Sequence, residues 1–364
     1  FGAAASVFAI IGCGVIAFTH AKALEALRGE GCVLYGACDI IPEKADAYAA
    51  EHGVPHVYYD YHDVLADPAV DIVCVCVPSG THGEVCKAAA EAGKAIVCEK
   101  PMEITPEKIA DVIGVVERTH AKMQCIFQRR MMPVAIAVKQ AVAEGRFGRI
   151  CLAGADLKYY RDQAYYNSAG WRGTWEQDGG GALMNQCIHG IDLLRWMLGD
   201  GVTEVMAYTD NLNHPYIQAE DLGLALVRFE SGAYGVVEGT TNVYPHNLEE
   251  TLYLFGENGT VKAGGKSVNI IEEWDFRDGR GDPATIKMQF GENPPNVYGY
   301  GHTPLYADVI AAIREDRAPY VDGRAGMRAL ELVLAIYLSA AEHRPVRLPL
   351  ADCATTDFEG RFGR

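Results

Sequence analysis

Short runs of β-branched and apolar residues alternate with amphipathic stretches over the first 130 residues. The pattern predicts strands at 6–11, 33–38, 72–77, 95–98 and 123–127, and helices at 17–29, 42–52, 60–66, 80–92 and 105–119. The run Asp71 to Val77 is apolar on both faces, as a buried parallel strand requires. Such alternation predicts a doubly wound parallel sheet. Beyond Gln128-Arg129-Arg130 the character changes. One helix is expected over 132–144, then longer β-like segments at 149–161, 203–212, 221–230, 233–242, 249–255 and 259–263. Ser231-Gly232 and Asn258-Gly259 are hairpin signals. A helix with its own apolar stripe is predicted over 182–198, and two more over 304–316 and 324–342. The expectation is an α/β chain of two domains, 1–130 and 131–364, the second α+β with an open, mostly antiparallel sheet. The polar stretch 267–295 is expected to be loop.

The join between the first strand and helix is the most informative point. Val7 to Ile11 runs into Gly12-Cys13-Gly14-Val15-Ile16-Ala17, the pattern of a strand turning into a helix around a dinucleotide pyrophosphate. Gly12 permits the tight turn and Gly14 the close approach of backbone to phosphate. Ala17 keeps helix and strand together, and the helix N-terminus attracts the anion. Asp39 ends the second strand about 20 residues on, where a carboxylate bonds the adenosine ribose hydroxyls and repels a 2′-phosphate. No Arg or Ser follows it, only Ile40-Ile41-Pro42, so NAD is favoured over NADP. The first domain therefore reads as a Rossmann unit.

The chain has 364 residues, 49% hydrophobic and 22% charged, with a formal net charge of −16. That balance argues against nucleic acid and anionic membranes as partners, though a basic pocket can still sit in an acidic protein. Eleven cysteines, an odd count without regular spacing, several in apolar runs, suit a reduced cytoplasmic protein. With no CxxC or HExxH, no metal site is expected. The apolar start, Phe1 to Phe18, lacks a basic flank and is interrupted by the glycine turn, so it reads as a strand rather than a leader. No other apolar run approaches ~18 residues, and no membrane span is expected.

Two constellations carry chemistry. Glu99-Lys100-Pro101 follows the fourth strand, at a carboxyl end where ligands bind in such sheets. Lys100 there can hold a developing alkoxide; a solvated lysine paired with Glu99 is the plain alternative. The second runs from Trp171-Arg172 through Gly179-Gly180-Gly181 to Asn185, His189 and Asp192. The three glycines would let a ligand approach the backbone. Asn185 and His189 share a helix face, and Asp192 is placed to orient the imidazole. A neutral histidine so placed can take a hydroxyl proton; a core histidine held by Asp192 is the alternative. Tyr160, Arg161, Tyr165 and Tyr166 are softer candidates, suited to a sugar's apolar face and hydroxyl rim. His246 and His302 sit near loops, at a pocket border or on the surface. No cluster of Arg and Lys marks a diphosphate pocket in the second domain.

In these motifs the chain resembles the glucose–fructose oxidoreductase/inositol dehydrogenase/MocA family, over nearly its whole length. The resemblance implies reversible oxidation of a secondary alcohol on a sugar or cyclic polyol, with NAD as cofactor. It implies Lys100 and His189 at the reacting hydroxyl, Asn185 positioning substrate, and a cis Lys100–Pro101 bond. Cofactor contacts are expected from Gly12, Cys13, Gly14, Val15, Ile16, Asp39, Ile40, Val77, Pro78, Ser79, His82, Glu99, Lys100, Gln128, Trp171 and Arg172. Substrate contacts are expected from Lys100, Arg130, Tyr160, Tyr166, Trp171, Asn185 and His189. The family's inositol branch has Asp where this chain has Asn185. An inositol or free aldose is the first substrate expected and a nucleotide-sugar (a 3-dehydrogenase of UDP-hexosamine or hexuronate) the second. A non-catalytic NAD sensor is the reading from another class. The open sheet suggests a homodimer or homotetramer, with Val205, Ala207, Leu224, Leu226, Val236 and Val237 supplying the face.

Overall fold

A computed structural model describes residues 5–199, 201–294 and 296–362. The chain forms two compact units, Phe1–Glu103 with Glu107–Ile126 and Gly301–Met327, and Ile104–Pro106 with Phe127–Tyr300 and Arg328–Arg364.

The first unit alternates β1 (Ser6–Ile11), α1 (Ala17–Ala26), β2 (Cys32–Cys38), α2 (Pro42–His52), β3 (His56–Tyr58), α3 (Tyr61–Ala66), β4 (Ile72–Val75), α4 (His82–Glu91), β5 (Ala95–Cys98), α5 (Pro106–Thr119) and β6 (Met123–Cys125). The strands are parallel in the order β3-β2-β1-β4-β5-β6. Phe8, Ile10, Ile72 and Ile96 are fully buried in its core. The order reverses between β1 and β4, which opens a ligand crevice at the carboxyl ends of the strands. Gly12, Asp39, Val77 and Lys100 follow the ends of β1, β2, β4 and β5, along that edge. The three-residue β3 is too short to show a pattern in sequence.

The second unit contains α6 (Pro133–Ala143), β7 (Ile150–Lys158), α7 (Gln163–Asn167), α8 (Ile188–Leu198), β8 (Val202–Asp210), β9 (Leu222–Phe229), β10 (Tyr234–Thr240), β11 (Glu249–Gly256), β12 (Gly259–Gly264), β13 (Ile270–Phe276) and α9 (Pro283–Gln289). After them come α10 (His302–Arg314), α11 (Gly323–Glu342) and β14 (Val346–Arg347). The sheet order is β13-β12-β11-β7-β10-β9-β8-β14, antiparallel except for the parallel β10–β7 pair. α8 packs on β7 and β11.

Four expectations change. Segment 267–295 is not loop: it holds β13 and α9, whose apolar positions Ile271 and Trp274 are interleaved with acids. The helix expected over 182–198 begins as a π turn, Ala182–Gln186. The segment 301–327 belongs to the first unit, because the Val321 carbonyl accepts the Cys125 N–H at 2.8 Å and the Gln124 amide at 3.1 Å. Val205, Ala207 and Val237 are buried, not on the open face. Side chains alternate along a strand, so Tyr208 (64% exposed), Leu224 (44%) and Leu226 (61%) turn outward instead. Val236, paired with Leu226, lies half-buried on that face.

Candidate functional site

In the first unit, Gly12 has φ +97°, and a Cβ on it would stand 2.5 Å from the Cys76 carbonyl oxygen. Gly14 has open space where a Cβ would be. No side chain caps the N-terminus of α1, and its first turn has no acidic residue. An uncapped helix end beside open backbone suits a pyrophosphate. Asp39 is half-exposed; it accepts the Cys13 N–H on Oδ2 and the Ile41 N–H on Oδ1, both at 2.9 Å. That fixes the carboxylate at the strand end with lone pairs left for ribose hydroxyls. Val15 and Ile40 are 65% and 82% exposed. These residues fit NAD.

Lys100 is half-buried after β5, and its bond to Pro101 is cis. Its neighbours point inward. The His82 ring lies between the Pro101 and Val77 carbonyls, at 2.6 and 2.7 Å, so it braces two loops rather than reaching for a ligand. Glu99 is 5% exposed. Its Oε1 meets His20 Nε2 at 2.8 Å and His302 Nε2 at 3.6 Å, and its Oε2 accepts the Lys100 main-chain N–H at 3.0 Å. Burial would raise its pKa, but the bonds and charges of His20 and His302 outweigh burial and hold it well below the carboxylate range. His20 Nδ1 lies 2.5 Å from the Tyr306 hydroxyl, which lies 3.0 Å from Cys74 Sγ. His302 is therefore neither pocket border nor surface. Ligand atoms of His20, Glu99 and His302 all lie within 4.8 Å of one another, the one metal-like grouping among the described residues.

In the second unit, Asn185 sits on the π turn and His189 in the first turn of α8, with the Phe127 ring edge-on to the imidazole at 6.0 Å. π turns are rare and concentrate at functional sites. Asp192, expected to orient the imidazole, pairs with Arg130 through two bonds of 2.7 and 2.6 Å. Arg130, expected to touch substrate, is thus committed to a buried ion pair. Gln128 is buried.

The glycine run serves packing rather than ligand approach. A Cβ on Gly179 would strike Ile104, on Gly180 the Tyr337 hydroxyl, and on Gly181 the Glu220 carbonyl oxygen at 1.8 Å. The fully buried Glu220 carboxylate anchors the end of this run. Its Oε2 accepts the Gly181 N–H at 2.9 Å, and its Oε1 the Leu183 N–H at 2.8 Å and the Tyr337 hydroxyl at 2.9 Å. Burial pushes its pKa up to about 7 against the pull of those bonds.

Beside the π turn lies an aromatic–cationic stack. Arg161 and Arg172 lie over the Tyr165 ring at 5.0 and 4.5 Å, and Arg172 also lies 4.8 Å from Trp171. The Tyr165 hydroxyl accepts from Arg172 and from Gln186, each at 3.0 Å. Gln186 reaches Asn185 Oδ1 at 3.3 Å, and Asn185 donates to Asp178 at 2.8 Å. One polar chain thus joins two guanidinium groups to Asn185. Arg161 precedes the Asp162 N-cap of α7 while Tyr165 lies within the helix, so no helical spacing in the sequence announced the pair. Tyr160 is half-exposed; Tyr166 is buried, its hydroxyl 3.3 Å from Thr241. His214 bridges Asp221 and the Arg161 carbonyl, at 2.7 Å each. His246 is exposed.

All eleven cysteines are free thiols. No helix among the described residues is long and apolar enough to cross a membrane.

Comparison with known proteins agrees with this layout. Residues 7–127 match the oxidoreductase family NAD-binding Rossmann fold, and residues 139–348 its C-terminal alpha/beta domain. The scyllo-inositol 2-dehydrogenase (NAD(+)) of Bacillus subtilis is 29% identical over 84% of this chain and 90% of its own length. The myo-inositol 2-dehydrogenase of Thermotoga maritima is 28% identical over 93% of this chain and 97% of its own. Among solved structures, the WlbA dehydrogenase from Bordetella pertussis, in complex with NADH and UDP-GlcNAcA, superposes with a TM-score of 0.87 at 36% identity, covering 96% of this chain and 100% of that one. The strand-end glycine turn, Asp39, Lys100 and the Asn185–His189 helix stand in one chain whose two units each match their family domain: it belongs to the glucose–fructose oxidoreductase/inositol dehydrogenase/MocA family of NAD-binding oxidoreductases.

Proposed function

We propose that this oxidoreductase oxidises a secondary alcohol on a sugar bearing an anionic group, foremost a nucleotide-linked sugar acid. The observation that carries this is the Arg161–Tyr165–Arg172 stack, linked through Gln186 to Asn185. Paired guanidinium groups suit phosphate or carboxylate, and neutral inositols do not need them. The likeness at 36% identity to a dehydrogenase crystallised with UDP-GlcNAcA supports the same class. When bound, NAD supplies the hydride acceptor. His189 takes the hydroxyl proton, Lys100 steadies charge on the oxygen, and Asn185, tethered to Asp178, orients the substrate.

The test is the appearance of reduced nicotinamide with NAD or NADP and a panel of UDP-GlcNAcA, UDP-GlcNAc, inositols and aldoses. Turnover with the acidic nucleotide-sugar is expected, lost by about a thousand-fold in Lys100→Ala and in His189→Ala. Preference for inositol or a free aldose would overturn the anionic class, and NAD binding without turnover on any member would favour a sensor.

The outward sheet face carries Tyr208, Leu224, Leu226 and Tyr234, with Arg228 over Tyr234 and Lys158 among Asp156, Glu238 and Glu249. An apolar centre rimmed by both signs is self-complementary, and we assign it to a second copy in a homodimer or homotetramer. The free thiols support a reducing, cytoplasmic setting.

A further inference from the structure

We infer that Glu99, clamped by His20 and His302, is a positioning residue for Lys100. The inference rests on the reading that Lys100 works at the reacting oxygen. The Glu99 carboxylate is buried and both its oxygens are hydrogen-bonded within the protein. Its Oε2 accepts the main-chain N–H of the very next residue, Lys100, at 3.0 Å. A carboxylate with no fixed partner would swing and take that backbone with it. Here Oε1 is hydrogen-bonded to His20 on α1, and His302 at the start of α10 stands 3.6 Å from the same oxygen. His20 is itself fixed, through Nδ1 to the Tyr306 hydroxyl at 2.5 Å, and the two imidazoles meet edge to face at 5.4 Å. The stem of Lys100 is therefore anchored to two helices through a single carboxylate. Lys100 contributes a flexible side chain, so a rigid stem narrows where its amine can go.

The chemistry demands a carboxylate. Both oxygens face N–H donors, and a carboxamide at 99 would turn its own NH2 on one of them. The competing reading is a divalent metal held by His20, Glu99 and His302. The 2.8 Å contact between His20 and Glu99 is a hydrogen-bond length, and the other His20 nitrogen is already engaged by Tyr306.

The experiment compares Glu99→Gln, His20→Phe and Tyr306→Phe with the native chain, by steady-state kinetics, NADH binding and thermal melting. Glu99→Gln and His20→Phe are expected to lower kcat about thirty-fold, with KM for NAD and sugar within about three-fold, as misplacement of a reacting group does. Tyr306→Phe, which loosens only the outer link, should lower kcat by about three-fold. An unchanged kcat in Glu99→Gln, or in His20→Phe should the first variant not fold, overturns the inference. So does stoichiometric zinc in the purified native protein that leaves with a chelator and takes kcat with it. Lys100→Ala separates the two levels: if it stays active, the role of Lys100 fails; if it is dead while Glu99→Gln turns over normally, only the clamp fails.

Discussion

Two buried glutamates, Glu99 in the first unit and Glu220 in the second, lie next to candidate site residues and are held in opposite ways. Glu99 faces imidazoles, partners that can carry positive charge, and its carboxyl is held well below the ordinary range. Glu220 faces two peptide N–H groups and a tyrosine hydroxyl, and burial carries it up to about 7. Neutral donors soften the desolvation of an anion without cancelling it, whereas cationic partners reverse it. The first unit thus keeps a fixed charge under its lysine. The second keeps a carboxyl near its titration point under the turn that bears Asn185.

The strongest way to break the contrast is Glu220→Gln. The carboxamide must present NH2 to the Gly181 N–H or to the Leu183 and Tyr337 donors, and leaving a buried donor unmet costs about 1–3 kcal/mol. Urea unfolding should show that loss; native stability in the variant would mean the cradle does not need a carboxylate. The pH dependence sharpens the contrast. Glu220 has its folded pKa, about 7, above the ordinary 4.5, so between those values the folded state holds the proton that the unfolded state has lost. Its stabilisation is full below 4.5 and declines as pH rises through 7. His214 pushes the same way: burial lowers its pKa, but the bonds to Asp221 and the Arg161 carbonyl raise it overall. Glu99, held low, does the reverse: its contribution is present above 4.5 and lost as pH falls below it. Melting curves should therefore fall from pH 5 to 7.5 with a slope that flattens in Glu220→Gln. A slope unchanged in that variant would dismiss the assignment.

A smaller effect is expected at Asn185. Its amide donates to the buried Asp178, so Asn185→Asp sets two carboxylates face to face. About 1 kcal/mol of stability should go at neutral pH and return on acidification; equal stability at both pH values would show that the pair is not in contact in solution. Of similar size is the effect of Tyr337→Phe, which removes one of the hydrogen bonds to Glu220 and should cost about 1 kcal/mol, read in the same unfolding assay.

Legibility in the sequence tracked distance along the chain. Gly12 to Ala17, Asp39 and Lys100 were legible because a strand, a turn and a helix write their requirements within a few neighbouring residues. The outward Leu224 and Leu226 were legible, but Val205, Ala207 and Val237 were not, because a one-residue error in phase flips a side chain across the sheet. The clamp was hidden. His20 and Tyr306 lie 286 positions apart, and a polar residue gives no hint in sequence that it is buried. Glu220 sits beside Asp221 in what reads as a charged strand entry, and the glycine run seemed made for a ligand because its true occupants come from positions 104, 220 and 337.

The late return of α10 to the first unit bears on the order of synthesis. By the time Ile126 has left the ribosome every strand of the parallel sheet exists, yet His302, Tyr306 and the Val321 carbonyl do not. At about 5–20 residues per second, the intervening stretch takes on the order of ten seconds or longer to make. Through that interval Glu99 lacks one of its two imidazoles, and His20 lacks the hydroxyl that fixes it. The nascent nucleotide-binding unit is thereby kept provisional, and a fragment ending at Ile126 should be a poor substitute for the complete first unit.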